Sequence, residues 1–420
     1  MRVGWKVFAL LVQPFVLAAA CSAGTGPAGL PGPDTSKGEI VIASELPATG
    51  TDGAGGRPAQ QGAQFAVRQA QAVKGFKLSF LPFDDAVNGV HDPQKGAQNV
   101  AQMMADPRVL GMVGPFNSNV ARAEIPIANQ ASLAMISPAN IDECLTQALA
   151  HCSPKPASLR PTGKNNYFRV VAADTFQGRA MADFAVDTLK MVKVGVFSDN
   201  EVFGKNVADG FNAEFAKKGG SVVAHQDFVW TTTADFTPFL KAAQAAGAQG
   251  IFAGATSNTK GCLARAQMKG IFGPDAYYLG PDAIADSQCL AQAGDLATDR
   301  MYSSSGIPDA TRSPDAAPVV DAYRKAFPKI DDVGTFTFTA YDCARVLIDA
   351  IGRAIDANAG RAPSRQQVLE AVATTRNLKL LGGIYSFDAN GDPASPVLAI
   401  YQAKAPDWVF AKQFQLPAAP

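Results

Sequence analysis

Residues that could do covalent chemistry are few and scattered along this 420-residue chain. His151 lies beside Cys152 in a polar insert, but the sequence pairs none of the three histidines (His91, His151 and His225) with a catalytic nucleophile or a cluster of metal ligands. There is no G-x-S-x-G elbow, Walker A loop, H-E-x-x-H motif or dinucleotide fingerprint, and the glycine-rich run TGTDGAGG lacks the closing Gly-Lys-Ser/Thr of a phosphate loop. Asp84 and Asp85 follow a predicted strand and would point to opposite faces, which favours loop bonding or helix capping. We therefore expect no catalysis, no cofactor and no metal site.

What remains is a set of neutral hydrogen-bond donors and one well-placed acid. The turns FNSN and SPAN bracket a predicted helix and strand, and Ser118 falls in the first turn of that helix. A helix N-terminus with a free hydroxyl can hold a carboxylate without Arg or Lys, although Asn117 or Ser118 could instead cap the helix. Asp282, in YLGPDA, could hold an ammonium group or cap a following helix. A site for each charge would suit a zwitterion.

The elements that must position these residues alternate in period. Strand-like runs such as GEIVIASELP, FKLSFLPFDD and VLGMVGPF are separated by amphipathic helical runs, and the alternation restarts after an irregular stretch from Ile141 to Asn166. This order predicts an α/β fold with mostly parallel sheets flanked by helices. One sheet of ten or more strands would be unusual, so two lobes are expected, with strand-end loops facing a shared cleft. Two long helices and a short one follow, and GGIYSFDANGDP with VLAIYQAKAPDWVFAKQF predicts a closing antiparallel strand pair.

The N-terminus predicts export. Arg2 and Lys6 precede a short apolar run, which is typical of a secretory signal over residues 1–20. LAAAC resembles a bacterial lipobox, in which Cys21 would be lipidated; the alternative is an ordinary cleavage site. Residues 21–37 form a flexible Gly/Pro/Ser tether. We expect a lipoprotein held on the outer face of the cytoplasmic membrane.

In an exported chain the remaining cysteines can pair. Cys144 and Cys152 could close a small loop, and Cys262 and Cys289 could form a second bridge if the fold brings their helices together. Cys343 lies in an apolar helical pattern and is expected to be a buried free thiol. The charges balance at 37 basic and 37 acidic residues, so there is no reason to expect a nucleic-acid partner.

An ordered set of segments resembles the branched-chain amino acid (Leu/Ile/Val) substrate-binding proteins of ABC transporters, in the type I periplasmic-binding-protein superfamily. The segments are FDD…HDPQKGAQNVAQMM, VGPFNSNVARAEIPIANQ, LAMISPAN, PTGKNNYFRVV…DTFQGRAMADFAVDTL, VGVFSDNEVFGKNVADGFNAEF and YYLGPDA. The resemblance covers about residues 38 to 412 and implies two Rossmann-like lobes joined by three crossovers, the Venus-flytrap arrangement. The implied N-terminal lobe is 38–168 plus about 301–378, and the C-terminal lobe is 169–300 plus about 379–420.

The resemblance also implies site residues. In the family, a Ser after the third strand and a Thr after the fourth hold the ligand carboxylate, an acid in the GP(E/D) turn meets the ammonium, and aromatic rings cover the side chain. The Thr position falls on Ile141, so that hydroxyl is missing, and two family aromatics fall near Gly55 and Thr256. The implied ligand-binding set is Asn117, Ser118, Ala139 (through its backbone carbonyl), Asn140, Ile141, Phe203, Thr256 and Asp282.

The function implied is non-catalytic. The chain would be a monomer that closes on an amino acid, branched-chain or a related small zwitterion or amide, and delivers it to an ABC permease and ATPase complex. The missing aromatics imply a pocket larger or more polar than one for leucine. The alternative is a sensor of the same fold that reports ligand occupancy to a regulatory partner.

Overall fold

The computed structural model describes residues 33–416, apart from Thr51, Asn258, 313–315 and 330–332. The predicted signal peptide, Cys21 and most of the predicted tether lie outside the described residues. Within the described residues, no helix combines the length and the apolar character that crossing a membrane requires.

Two sheets organise the chain, as the alternation predicts. The first has six strands in the order β2-β3-β1-β6-β7-β8, parallel except for β2, and helices cover both of its faces. Its elements are β1 (Glu39–Glu45), α1 (Gly53–Ala70), β2 (Ala72–Val73), β3 (Phe76–Phe83), the small hairpin β4 (Ala86–Val87) and β5 (Val90–His91), α2 (Pro93–Ala105), β6 (Val109–Val113), α3 (Ser118–Gln130), β7 (Ala134–Ser137) and β8 (Tyr167–Arg169).

The second sheet has seven strands in the order β10-β9-β11-β12-β13-β16-β17, of which the first five are parallel. Its elements up to the last parallel strand are α4 (Asp174–Asp187), β9 (Lys193–Ser198), α5 (Val202–Lys217), β10 (Ser221–Asp227), α6 (Thr237–Ala245), β11 (Gly250–Gly254), α7 (Gly261–Gln267), β12 (Tyr277–Gly280), α8 (Ser287–Ala293) and β13 (Met301–Ser305). The chain continues through α9 (Ala317–Ala326), α10 (Thr337–Ala357), α11 (Arg365–Ala373), β14 (Leu378–Lys379), β15 (Ile384–Tyr385), β16 (Val397–Lys404) and β17 (Asp407–Gln415).

The closing strand pair differs from the prediction. GGIYSF does not pair with the last segment; its Ile384–Tyr385 pairs with Leu378–Lys379. The antiparallel hairpin lies wholly inside VLAIYQAKAPDWVFAKQF, as β16 and β17, and β16 joins the second sheet antiparallel to β13. The short turn at Ala405 and Pro406 lets one amphipathic run fold back on itself, which periodicity alone did not reveal.

Alternating strand residues supply a core on each face of a sheet, because successive side chains point in opposite directions. In β1, Ile42 packs with α10 residues such as Leu347, whereas Val41 packs on the other face with Val100 of α2. The buried apolar side chains of α9, α10 and α11 belong to the core of the first sheet, so the chain returns there after β13. Tyr385 also packs in that core. The exact lobe boundaries near 168, 300 and 378 remain predictions.

Two disulfides join the cysteine pairs put forward from the sequence. Cys144 and Cys152 close the small loop that follows β7, with Cα atoms 5.2 Å apart. Cys262 and Cys289 tie α7 to α8, with Cα atoms 5.1 Å apart. Cys343 is a free thiol in the buried face of α10, with no exposed surface.

Three buried carboxyl groups meet at the carboxyl edge of the first sheet. Glu45 ends β1, Asp85 follows β3 and Glu124 lies on α3, and none of the three is exposed to solvent. The Asn99 amide donates to Glu45 Oε1 at 3.0 Å, but within the described residues no protein donor reaches the other Glu45 oxygen or either oxygen of Asp85 and Glu124. Asp84, beside them, bonds the β1–α1 loop through the Ala48 amide. The cluster therefore lies beside the β1–α1 loop.

Burial is the largest cause of a raised pKa at all three acids. It raises the pKa of Asp85 to about 8, with Glu45 and Asp84 adding repulsion, and it raises the pKa of Glu124 well above its ordinary value, with Glu45 adding repulsion. The pKa of Glu45 is also raised by burial, and this rise is opposed by the hydrogen bond from Asn99 and by a proton shared with Glu124. A protonated Glu124 that donates to Glu45 satisfies an oxygen on each side with one shared proton.

Replacing Glu124 with Gln should flatten the pH dependence of the free energy of unfolding. An acid with a raised pKa in the folded state binds its proton more tightly there, so wild-type stability is greatest below the ordinary carboxyl pKa. The free energy of unfolding then falls, by up to ~1.4 kcal/mol per pH unit for each such group, as the pH rises from the ordinary carboxyl pKa towards the raised pKa of the folded state. The Glu124→Gln amide still donates to Glu45 but cannot ionise. Urea denaturation at a series of pH values measures the slope; the exposed Glu370→Gln should keep the wild-type slope, and parallel curves for all three proteins would contradict the shared proton.

Candidate functional site

The turn FNSN follows β6 and starts α3. Asn117 is the N-cap residue, but its side chain makes no capping hydrogen bond, so the capping alternative does not describe this helix. Ser118 is half-buried, and among the described residues nothing accepts from or donates to its hydroxyl. The first turn of α3 therefore presents a free hydroxyl and backbone N–H groups beyond the carboxyl edge of the sheet, which is a favourable environment for a carboxylate.

The turn SPAN is hydrogen-bonded to the turn FNSN and to the proline before it. The Ser137 hydroxyl donates to the Pro115 carbonyl at 2.7 Å and accepts from the backbone N–H of Asn140 at 2.9 Å. The Asn140 side chain donates to the Phe116 carbonyl at 2.5 Å and accepts from the Tyr167 hydroxyl at 2.8 Å. The two turns thus form one rigid surface. The side chain of Asn140, expected at the ligand, is occupied in holding them together.

The loop that continues from SPAN is held by a buried guanidinium. Arg169, at the end of β8, is fully buried and bonds Asp392 Oδ1 through Nε at 2.7 Å. It also donates to the carbonyls of Asn140 and Asp142, at 3.2 and 2.8 Å, and to the Thr146 hydroxyl. This one side chain therefore sets the path of the backbone around Ile141. The Ala139 carbonyl receives no hydrogen bond from the described residues and stays available to a ligand.

An aromatic ring lies against the glycine where the family's first-loop aromatic was expected. A Cβ atom built on Gly55 would lie 3.0 Å from Cζ of Phe116, so that ring lies against the glycine. Phe116 packs edge-on against Phe336, with ring centroids 4.7 Å apart. Phe116 is not among the ligand-binding residues expected from the sequence, although it is the first residue of FNSN.

The second lobe contributes Asp282. It lies in a short 3-10 turn after β12 and does not cap α8, because Asp286 does so by accepting from the Cys289 amide at 2.7 Å. Burial raises the pKa of Asp282 to about 6, against hydrogen bonds from Gln177 and from backbone amides. Thr256 lies elsewhere in this lobe's loops, where its hydroxyl bonds within its own loop to Thr259.

Asp174 and Gln177, which were not expected from the sequence, connect the loop after β7 with the turn that carries Asp282. The Asp174 amide, at the start of α4, donates to the Ile141 carbonyl at 2.9 Å. One turn later, Gln177 accepts from the Asp282 amide at 2.9 Å, and its amide lies 3.4 Å from Asp174 Oδ1. The first turn of α4 thus bonds both the loop after β7 and the loop after β12. Asp174 and Gln177 lie three residues apart in DTFQG, at the start of a helix. That spacing is the sequence feature that could have indicated both residues.

A cavity of about 420 Å³ lies between elements of the two lobes. The disulfide loop of the first lobe lines one side and the first turn of α5, with Phe203, lines the other. Asn206 of α5 donates to Glu143 Oε1, and His151 Nε2 lies 3.0 Å from the same oxygen, so the lobes are in direct contact. In the part of the chain that the structure describes, none of the three histidines bonds a hydroxyl or thiol.

Among the described residues, one group of side chains is of metal-ligand type. The ligand atoms of Cys144, His151 and Cys152 lie within 4.8 Å of one another. The two sulfur atoms are joined in the disulfide, and a metal needs thiolates, so the oxidised group is not a metal site. The arrangement of the cleft is one of donors, acids and aromatic rings suited to reversible binding.

The fold and the cleft define a two-lobed α/β solute-binding protein of type I. The chain matches the profile of the periplasmic binding protein family over residues 39–407, and it belongs to that family. Its relatives include Leu/Ile/Val-binding protein homolog 3 of Brucella melitensis, 27% identical over 87% of this chain and 91% of the relative. Leu/Ile/Val-binding protein homolog 2 of Brucella abortus is 26% identical over 89% and 93%.

Solved structures with the same fold bind different solutes. The leucine binding protein LivK of Thermotoga maritima superposes with a TM-score of 0.63 at 24% identity, over 89% of this chain and 98% of that one. LivJ of Streptococcus pneumoniae, in complex with isoleucine, has a TM-score of 0.60 at 22% identity, over 89% and 100%. A solute binding protein of R. palustris in complex with benzoate has a TM-score of 0.59 at 20% identity, over 91% and 97%.

Replacing Arg169 with Met should lower the free energy of unfolding by about 3–5 kcal/mol, because it leaves the Asp392 carboxylate buried without its partner. The double variant Arg169→Met, Asp392→Asn should recover part of this loss, since the uncompensated charge is gone. Urea denaturation at neutral pH measures both. Lys269→Met, which breaks the exposed ion pair with Asp295, is the control and should leave stability nearly unchanged. A loss at Arg169 as small as that of the control would contradict this role.

Proposed function

We propose that this protein is the extracytoplasmic solute-binding component of an ABC importer, which binds an amino acid between its lobes and delivers it to a permease and ATPase complex. The observation that supports this most directly is the first turn of α4. It hydrogen-bonds both the loop that continues from SPAN and the turn that carries Asp282. A donor-rich turn and an acid on opposite lobes are thereby linked at one cleft, as a zwitterion requires.

In this proposal the carboxylate of the ligand binds the first lobe. The Ser118 hydroxyl and the N-terminus of α3 donate to it, with Asn117 in the same turn. Ile141 presents an apolar side chain where a hydroxyl would be, so fewer donors meet the carboxylate. Asn140 acts indirectly, by holding the Phe116 carbonyl and hence the turn.

The ammonium group of the ligand binds Asp282 in the second lobe, and the Ala139 carbonyl is a further acceptor. Phe203 and Phe116 cover the side chain, and Thr256 shapes a neighbouring loop. Closure is a hinge motion, which ligand contacts made by both lobes at once would favour. Neutral donors suit such a protein, because the solute must be released again.

The signal-like residues 1–20 support export, and Cys21 would carry the lipid that holds the protein at the outer face of the membrane. Residues 21–37 would let the binding lobes reach a permease. We propose that the protein acts as a monomer. The names of the relatives, which are Leu/Ile/Val-binding proteins, support an amino acid as the solute.

The purified protein, stripped of bound solute, should gain thermal stability with an aliphatic amino acid. At a ligand concentration of 100 times Kd the folded state gains about 2.7 kcal/mol, which is readily seen as a rise in Tm. A thermal-shift panel of leucine, isoleucine, valine, their amides and benzoate measures it. A rise with benzoate and none with any amino acid or amide would sink the amino-acid assignment.

Replacing Asp282 with Asn should weaken amino-acid binding by about 30-fold or more, because a charge-assisted hydrogen bond to the ammonium is lost. Since burial raises the pKa of Asp282 to about 6, wild-type affinity should fall as the pH drops below 6 and the carboxylate takes up a proton. The variant should not show this fall. Titration calorimetry at several pH values measures both, with the exposed Asp295→Asn as the matched control in the same lobe. Equal affinities and equal pH profiles for all three proteins would exclude Asp282 as the ammonium partner.

A further inference from the structure

Of the residues expected at the ligand, only Phe203 lines the cavity between the lobes; the rest of its wall comes mainly from the disulfide loop and the starts of α4 and α5. Its volume of about 420 Å³ falls in the range of whole small-molecule sites, roughly 300–1,000 Å³. Phe203 lines it, and so does Asp174, which Gln177 links to the Asp282 turn. The cavity is therefore a neighbour of the proposed ammonium site, on the side of the disulfide loop. A ligand side chain longer than that of leucine has room there.

The cavity wall carries more negative than positive side chains. Asp142 is paired with Arg122, whose Nη2 lies 2.7 Å from Asp142 Oδ2. Glu143, only 3% exposed, accepts from Asn206 and pairs with His151 at 3.0 Å. These two acids are therefore already provided with partners. Asp174 is the third acid of the wall.

Asp174 is the acid whose partners are incomplete. It is 8% exposed, and its Oδ1 receives one long hydrogen bond, from Gln177 at 3.4 Å. Within the described residues nothing donates to its Oδ2, although the side chain borders the cavity. Burial raises its pKa well above the ordinary value, and Asp282, Glu143 and Asp142 add repulsion. Arg169 opposes this effect, but its guanidinium is committed to Asp392.

We propose that Asp174 selects a ligand with a second positive charge, so that the preferred solute is a basic amino acid rather than an aliphatic one. This inference rests on the proposed function and sharpens it. The α-ammonium would bind Asp282, the methylene groups would pass over Phe203, and the distal ammonium or guanidinium would meet Asp174 Oδ2. A cation there removes the repulsion among the neighbouring acids and provides the missing hydrogen-bond donor.

Matched ligand pairs test this without altering the protein. Arginine and citrulline have nearly the same shape, but only arginine is charged at its distal end, and lysine and norleucine form a second such pair. Titration calorimetry of the stripped wild-type protein should give Kd values at least tenfold lower for arginine than for citrulline, and for lysine than for norleucine. Equal Kd values within both pairs would overturn the proposal.

The Asp174→Asn variant locates the effect. It should bind arginine no more tightly than citrulline, while its Kd for citrulline stays within about twofold of wild type. A thermal melt of the unliganded variant checks that the first turn of α4 is intact, and Asp295→Asn is the exposed control. Equal weakening of arginine and citrulline would show that Asp174 only positions α4, and would overturn the selectivity role.

The outcomes separate this inference from the proposed function. If citrulline, norleucine and leucine bind and the charged partners bind no better, the protein binds amino acids and Asp174 does not select for charge. If no amino acid binds, the proposed function fails as well, whatever the variant does.

Discussion

The buried ion pair between Arg169 and Asp392 is the constraint on which the cleft depends. Its two residues lie 223 positions apart, at the end of β8 and in the segment between β15 and β16. A buried ion pair contributes little net stability compared with apolar residues, yet removing one partner is costly. Its effect here is positional, because the remaining guanidinium donors hold the carbonyls of Asn140 and Asp142. The backbone after SPAN follows from that geometry.

The rest of the cleft extends from this fixed loop. Ser137 and Asn140 join SPAN to FNSN, so that Ser118 and the start of α3 keep a set position relative to Ala139. On the other side, the Asp174 amide takes the Ile141 carbonyl, and Gln177 continues the connection to Asp282. Each of these four hydrogen bonds has a main-chain group as its donor or its acceptor. They leave the Ser118 hydroxyl and Asp174 Oδ2 without a partner among the described residues, so these groups can respond to a solute.

Buried carboxyl groups recur on both sides of the cleft, and their environments differ. Glu45 and Glu124 lie in a closed cluster beneath the loops of the first lobe, where a shared proton can satisfy them. Asp174 borders the interlobe cavity, where in the proposed function a cation from solution takes the place of a proton, and Asp282 is close enough to repel the Asp174 carboxylate. The burial of negative charge therefore favours a shared proton in the closed cluster and, in the proposed function, a bound cation at Asp174.

The sequence by itself determined the alternation of strands and helices, the two sheets, the cysteine pairs that could bridge, and the polar strand-end turns. These follow from local period and composition, which a chain carries whatever its tertiary fold. Only the tertiary structure decided that Asn140 bonds the Phe116 carbonyl, that Phe116 lies against Gly55, and that the closing hairpin is β16 with β17. It also brought Asp174 and Gln177 to the cleft. Such contacts join residues far apart in the sequence, and the register and stacking of the sheets set their distances, which no local pattern encodes.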